Sequence, residues 1–592
     1  MITQKSVPWW TEELTIKRKK LNALRRRYQR TKNNKELREH RKNRYYEGKV
    51  TIKREKLKSW KEYCNLTLCA NPWNAVYKLA SNKTKRSQTM TTVQNPDGSR
   101  MLDHNETLKV MMDHLTANDE QSDDTDYHKR IRILSTEPIL TADDRDHTPT
   151  EVKTAIDDLN HKKAPGEDGI TGEIYQRVYK QFPSFIYTIY ECLRKSCFLK
   201  KWKKVKIIPI TKPGKETSAD VSKFRPISLL NVGGKVLEKK LINRIMHHVY
   251  SNNLLNYNQF GFTPKKSAID AALAVKEYLE EGMSQGHIAI LVSLDVKGTF
   301  DAACWPSILK TLKEFNGPKN LYSLAKSYLS ERTAIFTTNS TQMEREVTKG
   351  SPQGSCYRPG FWNLQYNLLL NLEFGKRTKA IAYADDLLIA VKAETVREAE
   401  NYTNIEISKI TKWAKDNKIT FNEQKSKTMV VTRKKRRENK EVSIYLNNKP
   451  LEQVNNIKYL GIIMDSKLNF REHIMHITGK CNKLIHALAK STKLSWGLNH
   501  EALNTIYKGA ILPLLLYGAP IWVGAMGKKC NKILYSRAQW LMNIKIAKAY
   551  RMTSNEALCH LPGTTPIDIK AEEAANLYRI TRDGQTEPSI GS

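Results

Sequence analysis

Between Lys379 and Lys392 two apolar runs, Ala380 to Ala384 and Leu387 to Val391, flank the adjacent acids Asp385 and Asp386. Two strand-length apolar runs split by two polar residues predict a β-hairpin with both acids at its turn. Like charges at such a tip repel each other unless water or a cation relieves them. A second near-continuous apolar run, Ile288 to Leu294, has the pattern of a strand buried on both faces, and it closes on Asp295. An aspartate at the end of a buried strand is costly unless its charge is compensated.

Other patterns fill in around these strands. Apolar spacing predicts an amphipathic helix over 150–159, capped by Thr148 or Thr150, and a longer apolar helix over 186–199. Pro165, Gly166 and Gly169 predict a tight loop carrying Lys162 and Lys163. Residues 205–210 read as a strand, with Lys212 and Lys215 on the loop after it; Arg225, before Pro226, is held out of a helix. Helices are predicted over 237–246, 267–281 and 396–417, and from Trp305-Pro306 onward. A Gly-rich turn at 350–355 leads into a helix with Trp362, Asn363 and Tyr366. Residues 419–431 read as a strand region carrying Lys425, and 458–465 as half of a second hairpin. From 472 the chain is helical, with Ile474, Ile477, Cys481, Leu484 and Leu488 on one face. The acidic run 118–126 reads as mobile.

Composition narrows the partners. The 592 residues carry a net charge of +38 and a pI near 9.7, so a large polyanion, nucleic acid or an anionic membrane surface, is the expected ligand. Arg25, Arg26, Arg27, Arg30, Arg38, Arg41, Lys42 and Arg44 stand among Tyr28, Tyr45 and Tyr46, a mixture suited to phosphates and bases, with a solvated charged helix as the alternative. The longest apolar run, 511–526, is short and broken by Pro513, Gly518 and Pro520, so no membrane partner is expected. No secretory leader pattern is visible. The nine cysteines include no CxxC pair and read as reduced thiols of an intracellular protein. P-loop and HExxH motifs are absent.

If the strand ending in Asp295 neighbours the hairpin of Asp385 and Asp386, three carboxylates converge at one rim of a sheet. Such a set binds two hard divalent cations through oxygen. Two metals about 3.5–4 Å apart activate a 3′-hydroxyl and stabilise departing pyrophosphate in an in-line displacement. Basic side chains at Lys212 and Arg225 would supply charge to a triphosphate, although two ordinary basic loops would read the same way.

The ordered motifs KAPGEDGI, FRPISLLN, LDVKGTFD, SPQGS, YADD and YLGI, spread from Lys162 to Asp465, resemble the reverse transcriptases of non-LTR (LINE-type) retrotransposons, particularly the Jockey-like elements of insects. Weaker similarity continues through 515–522 and 549–558, and Val7-Pro8-Trp9-Trp10 resembles the segment that follows the endonuclease in such elements. The resemblance implies an α+β right-hand polymerase. It divides the chain into a basic helical N-terminal extension (1–86), a linker with small helices (87–147), fingers and palm (148–466), and a helical thumb and C-terminal region (467–592).

It also implies roles. Asp295, Asp385 and Asp386 look like the catalytic metal ligands, for two Mg²⁺ ions with Mn²⁺ as a substitute. Lys212 and Arg225 look like the fingers contacts to the triphosphate, and Gln353 and Gly354 like the groove for the incoming nucleotide. Phe300 is similar to the aromatic gate that crowds a 2′-hydroxyl, and Lys425 resembles the cation beside pyrophosphate. Tyr459, Leu460 and Gly461 resemble the primer grip. Asp301 is expected to cap the helix that follows. The partners implied are an RNA template, a DNA primer or target and deoxynucleoside triphosphates, with endonuclease activity supplied from elsewhere.

The chain departs from the family at Thr299, at Cys304 and at Cys356-Tyr357-Arg358, where small or aromatic residues are usual. A bulky cation beside the nucleotide groove keeps open a catalytically impaired nucleic-acid-binding protein of the same fold. The run 433–437 reads as a nuclear signal or as a solvated loop, so localisation stays open beyond intracellular.

Overall fold

The computed structural model describes residues 10–31, 35–68, 104–116, 118–194, 197–212, 220–298, 301–337, 342–433, 441–489 and 498–583. The chain divides into two compact units, 87–468 and 1–86 together with 469–592.

The first unit is α+β, built on two sheets. β1 (Lys204–Thr211), β2 (Phe224–Leu229), β4 (Arg332–Thr337) and β5 (Gln342–Val347) form one, in the order β2-β1-β4-β5. β3 (Ile288–Leu294), β6 (Thr378–Tyr383), β7 (Asp386–Ala393) and β8 (Lys427–Val431) form the other, in the order β8-β3-β7-β6, with the short strand Glu452–Gln453 beyond β8. β3 is interior and antiparallel to both neighbours. Helices Arg358–Leu370 and Val396–Asp416 supply Trp362, Tyr366, Ile407 and Trp413 to the core it shares. Covered on both faces, β3 has no use for alternation, which is why it reads as one apolar run.

Three expectations need correction. Residues 419–426 are a loop, and β8 starts only at Lys427. The apolar helix ends at Arg194 rather than continuing to Leu199. The stretch before 147 is not a loose linker where it is described: helix His104–Leu115 buries Leu108, Met111 and Leu115 against Val205, Phe224 and Phe336.

Nor is the acidic run mobile. Arg132 donates to Asp119 at 2.5 Å and to Asp124 at 2.5 and 3.1 Å. Lys418 donates to the same two acids at 2.6 and 2.5 Å. The acid side chains are 2 and 3% exposed. Local composition suggested mobility, but Arg132 of the following helix and Lys418 of a distant turn answer the charge.

The second unit is helical among its described residues. Helices Glu12–Arg30 and Lys35–Leu68 pack as a basic hairpin in which the rings of Tyr28 and Tyr45 stack at 6.3 Å. The C-terminal helices close around Trp522, Tyr535 and Gln539; the Gln539 amide donates to Tyr507 Oη and Thr565 O and accepts from Ile567 N–H. Among the described residues no single helix is long and apolar enough to cross a membrane; the bent pair His500–Leu516 and Ala519–Gly527 reaches that length and composition only when joined.

Candidate active site

The register of the central sheet brings the acids together. β3 and β7 pair with Leu294 opposite Leu387, so Asp295 and Asp386 are the next residues out on neighbouring strands. β6 and β7 pair with Tyr383 opposite Asp386, leaving Ala384 and Asp385 as a two-residue turn. Ala384 sits at φ 57°, a left-handed conformation that costs a non-glycine residue about 1–2 kcal/mol.

Contacts that the sequence did not reveal hold that turn. Trp362 Nε1–H donates to Ala384 O at 3.0 Å. The loop Asn258–Gly261 lies along β6: Phe260 N–H donates to Ala382 O at 2.8 Å, and Ala382 N–H to Asn258 O at 3.0 Å. Gly261 has no side chain because none fits; a Cβ there would stand 2.0 Å from Ala384 N. Asn363 then fixes Gly261 through its carbonyl at 2.9 Å.

Asp295 is fixed through its backbone. Its N–H donates to Ser426 Oγ at 3.1 Å and its carbonyl accepts from Asn422 N–H at 2.7 Å. Its Oδ2 is buried without a hydrogen bond, yet Lys425 Nζ lies 3.2 Å away, a charge contact without hydrogen-bond geometry. Asp386 keeps surface open to water but is partly desolvated. That desolvation, and then the charges of Asp385 and Asp295, push its carboxyl up to about 6. Tyr366, fully buried, takes the field of all three acids, and Tyr459, also buried, that of Asp386; their hydroxyls make no hydrogen bond, and burial above all raises both.

A cationic field lies nearby. Lys212 Nζ donates to Ser222 O at 2.8 Å, and its ammonium is pushed down by burial and then by the charges of Arg225, Lys425 and Lys223. Arg225 is exposed on β2, paired with Ile210, so it sits on a strand rather than a loop. Gln353 joins the same sheet where its carbonyl accepts from Ser228 N–H at 2.8 Å. Gly354 follows at φ 128°, where a Cβ would stand 2.8 Å from Ser228 O. Leu460 and Gly461, at φ 47° and 86°, form the turn after Tyr459, between strands Asn456–Tyr459 and Ile462–Asp465. Phe300 lies outside the described residues, as do Thr299, Lys215 and the basic run after Arg433.

The departures resolve differently. Tyr357 is 1% exposed, its ring against Tyr328 and Phe361, so its bulk goes into the core and away from the groove. Arg358 is half-buried and takes the charges of Asp301 and Asp385. Asp301 does not cap the helix Trp305–Glu314; the N-cap is Cys304, with no side-chain hydrogen bond. Burial pushes the Asp301 carboxyl up to about 6, against the pull of Arg358 and Lys212. A buried glutamate missed in the sequence, Glu238, accepts from Ser355 Oγ and from the N–H groups of Cys356 and Tyr357, and so fixes the Gly-rich turn.

Among the described residues no group of three or more His, Cys, Asp or Glu side chains is placed to hold a metal ion. The donors nonetheless suit a hard cation: one buried carboxylate oxygen without a hydrogen bond, and one carboxyl whose charge its neighbours oppose.

An α+β unit with acids at the rim of an antiparallel sheet, beside a basic strand pair, has the character of a nucleic-acid polymerase. Residues 210–464 match the family model described as reverse transcriptase (RNA-dependent DNA polymerase). The chain is 29% identical over 571 residues to the "Retrovirus-related Pol polyprotein from type-1 retrotransposable element R1" of Bradysia coprophila, covering 95% of this chain and 55% of that one. It is 29% identical over 417 residues to the "RNA-directed DNA polymerase from mobile element jockey" of Drosophila melanogaster, covering 69% and 44%. Residues 210–464 are thus similar to reverse transcriptases, and the chain to the polymerases of the R1 and jockey mobile elements. It spans about half the length of these curated relatives. Among solved structures, a truncated apo telomerase from Candida tropicalis aligns with a TM-score of 0.33 at 10% identity, over 49% of this chain and 59% of that one, too slight a likeness to build on.

Proposed function

We propose that this chain is an RNA-directed DNA polymerase, extending a primer 3′-hydroxyl with deoxynucleotides on an RNA template. The observation that carries the reading is the strand register that sets Asp295 beside Asp386, with Asp385 on the adjoining turn. In this reading the β3-centred sheet is the palm, the β1-centred sheet and its helices the fingers, and the C-terminal helices the thumb. Asp295, Asp385 and Asp386 hold two Mg²⁺ ions, or Mn²⁺. When bound, these supply Lewis acidity to the attacking hydroxyl and the departing pyrophosphate.

The remaining residues bind and orient. Lys212 and Arg225 draw in the triphosphate, supported by the cationic field they share with Lys425. Gln353 and Gly354 seat the nascent base pair, and Tyr459, Leu460 and Gly461 steer the primer end. Phe300 crowds a 2′-hydroxyl. The basic helical hairpin, with Arg38 over Tyr28 at 5.9 Å, holds nucleic-acid backbone. The site of action is intracellular, with the basic run 433–437 suited to nuclear entry.

Primer extension on poly(rA)/oligo(dT) tests the reading, with an Asp385→Ala, Asp386→Ala double variant as control. Wild type should extend and the variant fall to background; equal signals would overturn the assignment. One observation favours a second reading, a nucleic-acid-binding protein without turnover: the Arg358 guanidinium in the field of Asp301 and Asp385. Salt-sensitive binding with no extension in either Mg²⁺ or Mn²⁺ would select it.

A further inference from the structure

A second cluster of charge lies away from the acids, in a cavity of about 350 Å³ behind the helix Pro149–Asp157. His147 and Lys240 line it and are 3 and 4% exposed. Neither His147 ring nitrogen nor Lys240 Nζ makes a hydrogen bond. Unsatisfied buried donors call for a missing water or ion, and a buried cation calls for charge rather than water alone.

Arg244 and Lys239, which also line the cavity, are engaged. Arg244 is held by Asp144 at 2.8 Å and Glu151 at 2.6 Å. Lys239 pairs with Asp158. Glu151 also accepts from Thr148 N–H, completing the cap of the helix. Lys240 is left with the face of Tyr190, 5.0 Å from its centroid. Burial pushes its ammonium down to about 7: Glu191 and Glu151 hold it up, while Arg244 and Arg194 push it down. Burial, with Lys240 and Arg244, holds His147 down near 3, so its ring is neutral and one nitrogen is a free donor. The lining carries four cations, Arg145, Lys239, Lys240 and Arg244, against the two anions Glu151 and Asp158.

We infer that this cavity binds a phosphate group, held by Lys240 and the His147 ring beside the amino end of the helix Pro149–Asp157. An anion there answers a buried lysine that makes no hydrogen bond or ion-pair contact, and it faces the positive end of a helix dipole. The group could come from free phosphate or from the backbone of a nucleic acid; the chemistry is shared. Nothing in this inference depends on polymerase activity.

The test is calorimetric titration of the full chain with inorganic phosphate at constant ionic strength, for wild type, Lys240→Met and Lys239→Met. Saturable binding is expected in wild type and in Lys239→Met. In Lys240→Met it should weaken by roughly tenfold or more, the loss of a charge-assisted hydrogen bond. Before phosphate is added, Lys240→Met should melt no lower than wild type, because it removes a buried charge that makes no hydrogen bond. Phosphate that also displaces a labelled oligonucleotide from wild type but not from Lys240→Met identifies the backbone as the source; binding without displacement identifies the free anion. No saturable binding in wild type, or equal affinity in wild type and Lys240→Met, overturns the inference. If Lys240→Met does not fold, His147→Phe decides: weaker phosphate binding than wild type supports the site, and equal affinity refutes it.

Discussion

Two groups of aspartates in one unit meet opposite fates. Asp119 and Asp124 are almost wholly covered, yet Arg132 and Lys418 answer both; the Asp124 carboxyl is held well below the ordinary range, first by its hydrogen bond to Arg132. Asp386 is open on one side, yet its carboxyl is pushed up to about 6 by desolvation and by Asp385 and Asp295. Burial does not separate the two groups; the supply of cations does. Where the fold provides its own, the acids are a clasp that ties the segment before residue 132 to the turn before β8. Where it leaves Asp386 facing the like charges of Asp385 and Asp295, with Lys425 at 3.2 Å from Asp295, that carboxyl is pushed up instead, and the proposed metal ions would relieve it.

The comparison can be broken at either end. The largest expected effect on stability is at the clasp: Lys418→Met leaves two covered acids sharing one arginine and should cost on the order of 3 kcal/mol by urea unfolding. A loss below the resolution of the experiment would mean that the clasp is ornamental. Gly261→Ala comes next. Its new Cβ would meet Ala384 N, so it should cost about 1–3 kcal/mol and lower extension further than that loss of stability explains.

The smallest effect is acid sensitivity. The folded pKa of Asp124 is depressed, so its contribution is complete above its unfolded value of about 3.9 and is lost as pH falls through the folded one. Wild-type urea midpoints should therefore fall more steeply below about pH 4 than those of Asp124→Asn; parallel curves would remove the clasp from the account.

What the sequence revealed follows the reach of each interaction. Asp295 and the Asp385-Asp386 pair were legible because each interrupts an apolar run, and a broken pattern is a local signal. β3 was legible for the same reason. The clasp was misread as mobile because its charges cancel against Lys418, 299 residues from Asp119, together with Arg132. Gly261 and Glu238 carried no pattern of their own; one is needed because a turn lies against it, the other because three donors of the Gly-rich turn converge on it. Tyr357 looked obstructive because sequence gives a side chain's bulk but not its direction. Asp301 looked like a helix cap because spacing alone does not say that Arg358 and Lys212 face it.

The most direct measurement compares both groups in one assay: RNA-templated DNA primer extension by wild type, the Asp385→Ala, Asp386→Ala variant and Lys418→Met, below the melting temperature of each. The account predicts that the acid variant melts like wild type but extends only to background, while Lys418→Met melts earlier and still extends. An acid variant that extends as wild type does would contradict it.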